Sequence, residues 1–173
     1  MPLSYLLAAL LLTLPLWLGG QPRLLGYGAD SAMHLWFLNW FPYAISHGLN
    51  PFQTSIATHP STVSLLWNNA DLVLAFLAWP LFRLLPAAAA MDLVFVLMMA
   101  AAAAAMAWQL RSHLRHASSA WLGGLLFGFS PFALSELAAG HLTWVSTATL
   151  PLGWWVGERA WRAARDGRPA IRW

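Results

Sequence analysis

Long apolar runs separated by short polar segments dominate the chain, and this pattern predicts membrane-spanning helices. The runs cover residues 3–19, 88–110, 118–139 and 141–157. A helix needs about 20 apolar residues to cross a hydrocarbon core about 30 Å thick. We therefore predict one all-α integral membrane domain over residues 1–173, with about four transmembrane helices.

The first apolar run has two interpretations, a cleaved signal peptide or an uncleaved span. It has no Arg or Lys before it and no small-x-small cleavage site. These features favour an uncleaved span. The missing basic residues also lead us to expect that the natural N-terminus lies upstream.

Residues 20–87 predict a long loop that carries two interfacial helices. In the first, Asp30–Ser46, apolar side chains share one helical face, while Asp30 and His34 lie on another. The apolar face consists of Met33, Trp36, Phe37, Trp40 and Ala44. The second, Asp71–Leu85, contains Pro80 and Arg83 and reaches only about 22 Å as a helix. Because that is too short to cross the bilayer, it is predicted to lie in the interface or to re-enter.

The composition agrees with lipid as the solvent. Hydrophobic residues make up 60% of the chain and charged residues 9%, whereas a soluble domain has about 45–50% and about 25%. Several of the 12 Trp lie near the ends of apolar runs, as in a membrane-interface belt. The absence of Cys excludes a disulfide framework, a Cys-ligated zinc and a thiol nucleophile.

The arginines determine the predicted topology. Seven of the nine flank apolar runs, which indicates the positive-inside rule rather than nucleic-acid binding: Arg111, Arg115, Arg159, Arg162, Arg165, Arg168 and Arg172. Four spans place these arginines in the cytoplasm and the long loop outside. Four acids, Asp30, Asp71, Asp92 and Glu136, then collect at the outer face. If Asp71–Leu85 spans instead, the chain has five spans and the loop is cytoplasmic.

Asp30 and His34 lie one helical turn apart, so a carboxylate and an imidazole are predicted on one face. Asp30 is a candidate general base, which His34 would orient, or His34 would hold an anionic leaving group. The alternative is that Asp30 caps the helix and His34 pairs with it locally. Two such ligands are weak evidence for a metal site, so a divalent cation stays an open possibility.

Three further polar residues are candidates for the same outer cavity. Glu136 and His141 flank Gly140 at the end of an apolar run, where Glu136 would supply a second acid or extend into water. Arg83 would bind a lipid phosphate, since a guanidinium pairs bidentately with phosphate oxygens. Binding of bulk headgroups is the alternative role for Arg83.

The order of these segments resembles the N-terminal part of the GT-C membrane glycosyltransferases. The resemblance rests on four ordered motifs that together extend over most of the chain: Asp30-Ser-Ala-Met-His34-Leu-Trp36-Phe-Leu-Asn39-Trp40, His47-Gly48-Leu49-Asn50-Pro51-Phe52, Leu65-Leu66-Trp67-Asn68 and Leu125-Leu126-Phe127-Gly128-Phe129-Ser130-Pro131-Phe132. In that family an Asp early in the first external loop lies at the active site, and two juxtamembrane helices in that loop shape the cavity. Asp30 matches this position, and Glu136 is the counterpart of a second acidic motif.

The resemblance implies transfer of a sugar from a polyprenyl-phosphate donor to an acceptor at the outer face. Asp30 would be the catalytic residue, and His34, Arg83, Glu136 and His141 would bind substrate. Two features depart from the family. His59-Pro60-Ser61-Thr62 has no acid or Gly after the Pro, and the chain has only about four spans. It is therefore expected to be an N-terminal fragment of a larger protein.

Two other functional classes stay open at this point. In a transporter or lipid flippase the acids would face a translocation path, although here they gather at the outer ends of the spans. A truncated and catalytically inactive membrane protein is the remaining alternative.

Overall fold

The computed structural model is essentially all-helical, with 74% helix, and it describes residues 2–19, 24–56, 58–67, 71–145 and 147–166. The side chains of residues 144 and 145 are not described. The helices, in chain order, are α1 (Pro2–Leu12), α2 (Leu14–Leu18), α3 (Ala29–Ser46), α4 (Leu72–Leu84), α5 (Ala87–Leu110), α6 (Ala117–Gly128), α7 (Pro131–Ala139), α8 (Leu142–Val145) and α9 (Thr149–Arg165). Between α3 and α4, strands β1 (Gln53–Thr54) and β2 (Val63–Ser64) pair antiparallel, and a 3₁₀ turn (Leu65–Trp67) follows.

Two helical segments in the described chain are long and apolar enough to cross a membrane, by length and composition alone. One is α5, which has 24 residues and contains an 18-residue window with a mean hydropathy of 2.1. The other is Ala117–Ala139, which combines α6 and α7. It is interrupted at Phe129 and Ser130, because Pro131 has no N–H to continue the hydrogen-bond ladder of α6. The Ser130 hydroxyl then accepts the Ala133 N–H and begins α7.

The other two predicted spans form shorter segments. The run 3–19 contains α1 and α2, which meet at Thr13, whose hydroxyl donates to the Ala9 carbonyl at 2.9 Å. The run 141–157 contains α8 and then α9, which begins at Thr149 and continues into the arginine-rich segment. The predicted count of four spans therefore stays a prediction. Arg23, Asn68, Arg168 and Arg172 lie outside the described residues.

The chain divides into two compact units. Unit 1 consists of residues 1–13, 96–134 and 145–173, and its core is built from small residues. Tyr5 packs on Ala100, Ala103 and Ala107, and Gly124 lies so close to α5 that an added Cβ would meet the Ala103 carbonyl. The alanine-rich stretch of α5 thus packs closely against its neighbours.

Unit 2 consists of residues 14–95 and 135–144 and contains the pair α3 and α4. Phe37, Trp40, Ala44 and Leu65 form its apolar cluster, with Met33 and Trp36 partly buried against it. The Trp40 indole donates to the Pro51 carbonyl at 3.1 Å and ties the following turn to α3. Both predicted loop helices are confirmed as helices, at Ala29–Ser46 and Leu72–Leu84.

Candidate functional site

Asp30 lies in the first turn of α3, one residue after the helix begins at Ala29. Gly28, with φ +100°, is the N-cap residue, so the predicted capping role of Asp30 is wrong. Its carboxylate instead reaches a distant segment, where Oδ2 lies 2.9 Å from Nε2 of His141. The Asp30 side chain is 49% exposed, which leaves it open to a ligand.

His141 also contacts Glu136, on the opposite side of its ring. Nδ1 of His141 lies 2.6 Å from Oε2 of Glu136. The backbone supports this geometry, because Gly140 ends α7 at φ +78° and the His141 N–H donates to the Glu136 carbonyl at 2.9 Å. Asp30, His141 and Glu136 therefore form a continuous row, which we call the carboxylate–imidazole array.

The two carboxylates favour a protonated His141. The pKa of His141 is raised by its hydrogen bond to Glu136, against a smaller lowering from desolvation, and further by the charges of Glu136 and Asp30 and the hydrogen bond to Asp30. A protonated imidazole donates from both ring nitrogens. His141 can therefore orient Asp30 while Glu136 orients His141.

Two glycines bring the Asp30 and His141 segments together. Gly26 and Gly140 both have positive φ. Their backbones lie so close together that a Cβ on Gly26 would overlap Gly140. Ser31 packs against both glycines, and its hydroxyl donates to the Leu25 carbonyl at 3.1 Å. Nearby, the Tyr27 N–H donates to the Ala138 carbonyl at 3.1 Å. We call Gly26, Gly140 and Ser31 the glycine clasp.

His34 does not lie where the sequence pattern predicts. It is 2% exposed on the packed side of α3 and forms a buried hydrogen bond with the carboxyl group of Asp71, the N-cap residue of α4. Asp71 has φ +42°, which is uncommon for a residue with a side chain. The predicted local pairing of His34 with Asp30 is therefore wrong, and His34 joins α3 to α4.

The remaining candidates, Arg83 and Asp92, are not part of the carboxylate–imidazole array. Arg83 is exposed in the last turn of α4, and the structure does not bring it to the array. Asp92 is buried and accepts the Leu25 N–H at 2.8 Å, so it anchors the segment that leads into the clasp. Among the described residues, no group of three or more His, Asp or Glu side chains is arranged to hold a metal ion.

Sequence reasoning grouped Asp30 and Glu136 in one cavity but missed two partners. It did not predict that His141 lies between the two acids, or that His34 pairs with Asp71. The available signal for the first is Gly140, directly before His141 and at the end of a helical run. The chain has no significant match among protein-family models, curated proteins or solved structures.

Proposed function

We propose that the intact protein transfers a sugar from a polyprenyl-phosphate donor to an acceptor at the outer face of a bacterial plasma membrane. The observation that supports it is the carboxylate–imidazole array, in which a half-exposed carboxylate is oriented by an imidazole and a second acid. The GT-C resemblance supplies the substrate class, and Asp30 is the matching position in the sequence.

In the proposed reaction the Asp30 carboxylate accepts the proton of the acceptor hydroxyl. The acceptor oxygen then forms a bond to the anomeric carbon of the sugar. The bond from that carbon to the lipid phosphate oxygen breaks, and the phosphate leaves with the electron pair. His141 orients Asp30, and Glu136 orients His141, so that the base is held in one geometry before the acceptor binds.

Arg83 is proposed to bind a lipid phosphate beside α4, apart from the phosphate that leaves at the array. It is exposed, and a guanidinium presents paired donors to phosphate oxygens. His34 would contribute indirectly, because its buried pair with Asp71 fixes α3 relative to α4. Both helices would lie in the membrane interface, on an external loop of a four-span arrangement.

The charge distribution supports this orientation. In the described part of unit 2, four acids accompany one arginine, Arg83. In the described part of unit 1, five arginines accompany two acids, Glu158 and Asp166. Segments rich in Arg remain in the cytoplasm, so in the four-span arrangement the loop that carries Asp30 and Asp71 would lie outside.

The test compares Asp30→Asn with the natural protein in membrane vesicles, using a labelled polyprenyl-phosphate sugar. Loss of a general base should reduce the rate of glycosidic product formation about 10²- to 10⁴-fold. Asp166→Asn is the matched control, since Asp166 is an exposed acid at the end of α9. Full activity in Asp30→Asn would exclude the proposed base, and substrate movement across the vesicle without a glycosidic product would favour the transporter alternative.

A further inference from the structure

A groove in unit 1 runs between α1 and α5 and has a cavity volume of about 350 Å³. Its lining is mostly apolar and comes from six residues: Pro2, Tyr5, Ala104, Ala107, Trp108 and Arg111. Cavities of about 300–1,000 Å³ with apolar walls and few polar groups are typical of small-molecule sites. The groove is separate from the carboxylate–imidazole array, which belongs to unit 2.

Small side chains create the groove. Ala104 and Ala107 form part of its α5 wall, and Tyr5 contributes its ring from α1. The Tyr5 hydroxyl donates to the Trp121 carbonyl at 2.8 Å, and the Tyr5 ring stacks on Trp121. Tyr5 is therefore held in place by α6, so the wall it forms is fixed.

The two ends of the lining differ in chemistry. Trp108 is 49% exposed, and Arg111 follows the last residue of α5, Leu110. If α5 crosses the membrane, Trp108 and Arg111 lie at the level of the lipid headgroups, where Trp and Arg are favoured. An apolar surface that ends in a guanidinium matches a molecule with a hydrocarbon chain and a phosphate.

We propose that this groove binds an anionic glycerophospholipid, with an acyl chain along Ala104 and Ala107 and the phosphate at Arg111. A guanidinium has five N–H donors, so Arg111 can bind a phosphate beside a contact within the protein. The proposal depends on α5 spanning the membrane and not on the transferase function.

The test measures lipid binding to the purified full chain in a neutral detergent by native mass spectrometry. Dioleoyl phosphatidylglycerol should bind, and dioleoyl phosphatidylcholine should bind about tenfold more weakly. Arg111→Gln should weaken phosphatidylglycerol binding about tenfold, because a charge-assisted hydrogen bond is lost. Arg111→Lys should retain part of the affinity, since it keeps the charge but not the paired donors.

Two controls separate the groove from general surface charge and bulk. Arg115→Gln removes an exposed arginine of the same loop that does not line the groove, and it should leave binding within about twofold of the natural protein. Ala104→Phe should block the acyl chain and abolish binding, whereas Ala160→Phe on the exposed surface of α9 should not. A far-ultraviolet circular dichroism spectrum confirms that each variant is folded.

Three results would overturn the proposal. Equal binding of the two lipids would show that the phosphate charge is not recognised. Displacement of the lipid by millimolar inorganic phosphate alone would indicate a simple anion site. Unchanged phosphatidylglycerol binding in a folded Ala104→Phe variant would place the lipid elsewhere on the protein.

Discussion

The imidazole of His141 lies between two carboxylates, and this single residue connects the first turn of α3 to the end of α7. Without His141, Asp30 and Glu136 would be two separate acids at helix ends. With it, the two acids share a positive charge and a defined orientation. The chemistry proposed for Asp30 therefore depends on the orientation that His141 gives to its carboxylate.

Removing Glu136 should lower the pKa of His141. The hydrogen bond to Glu136 is the largest cause of the raised pKa, so Glu136→Gln should lower it by more than Asp30→Asn does. Nuclear magnetic resonance titration of the His141 ring in detergent measures both shifts. An unchanged pKa in Glu136→Gln would contradict the array.

The same shift predicts how stability depends on pH. Because the pKa of His141 is raised in the folded protein, its pairing stabilises the fold fully below the ordinary value, 6.5, and this contribution is lost as the pH rises through the raised pKa. The wild-type advantage in unfolding temperature over His141→Gln should therefore be larger at about pH 6 than at about pH 9.

Contacts between whole elements depend on glycines that allow two backbones to touch. In unit 2 the glycine clasp joins the segment before α3 to the residues after α7. In unit 1, Gly124 and Gly128 allow α6 to approach Ala103 of α5. Neither contact leaves space for a side chain, so both are sensitive to the smallest substitution.

The clasp can be tested by comparing two glycines with positive φ. Gly26→Ala combines strain in the left-handed region with a clash against the Gly140 backbone, and it should lower the free energy of unfolding by about 3 kcal/mol. Gly48→Ala has a similar φ but nothing within 4 Å of the added Cβ, so it should cost only about 1 kcal/mol. Equal losses of unfolding free energy in the two variants, measured by denaturant unfolding, would show that the clasp contributes no stability.

The contact between α5 and α6 in unit 1 can be tested by a similar comparison of two glycines. Gly124→Ala would meet the Ala103 carbonyl and the Tyr5 hydroxyl, and overpacking of this kind costs about 1–3 kcal/mol. Gly157→Ala in α9 has open space around the added Cβ and should stabilise the helix by up to about 1 kcal/mol. Thermal unfolding in one detergent measures both, and a stabilising Gly124→Ala would contradict the close packing.

The whole molecule separates its charges along the chain: acids predominate in the described part of unit 2 and arginines in that of unit 1. This distribution agrees with the acidic cluster and the arginine-rich flanks predicted from the sequence. It indicates which side of the membrane each segment faces only if the predicted spans cross the membrane.

Single cysteines can test that topology, because the chain has no native Cys. In the four-span arrangement an impermeant thiol reagent added to intact cells should label Ser55→Cys but neither Ser112→Cys nor Ser118→Cys. Ser112 and Ser118 are exposed and Ser55 is partly exposed, so each thiol is accessible to the reagent from its own side. Labelling of position 55 only after the membrane is permeabilised would support the five-span arrangement.

The local pattern was sufficient to predict the helices and to group Asp30 with Glu136 at the site. The spacing of Phe37, Trp40 and Ala44 predicted α3 and grouped three side chains that are buried together in unit 2. The pairing of His34 could not be predicted in this way, because a helical pattern identifies only partners about one turn away along the chain. Its actual partner, Asp71, is 37 residues distant.

The sequence by itself determined the helical class and the apolar segments, because backbone hydrogen bonding and periodicity act over a few residues. Only the tertiary structure decided that His141 would separate Asp30 from Glu136 and that His34 would be buried. Those pairings depend on where glycine allows distant backbones to touch, and no local spacing encodes that contact.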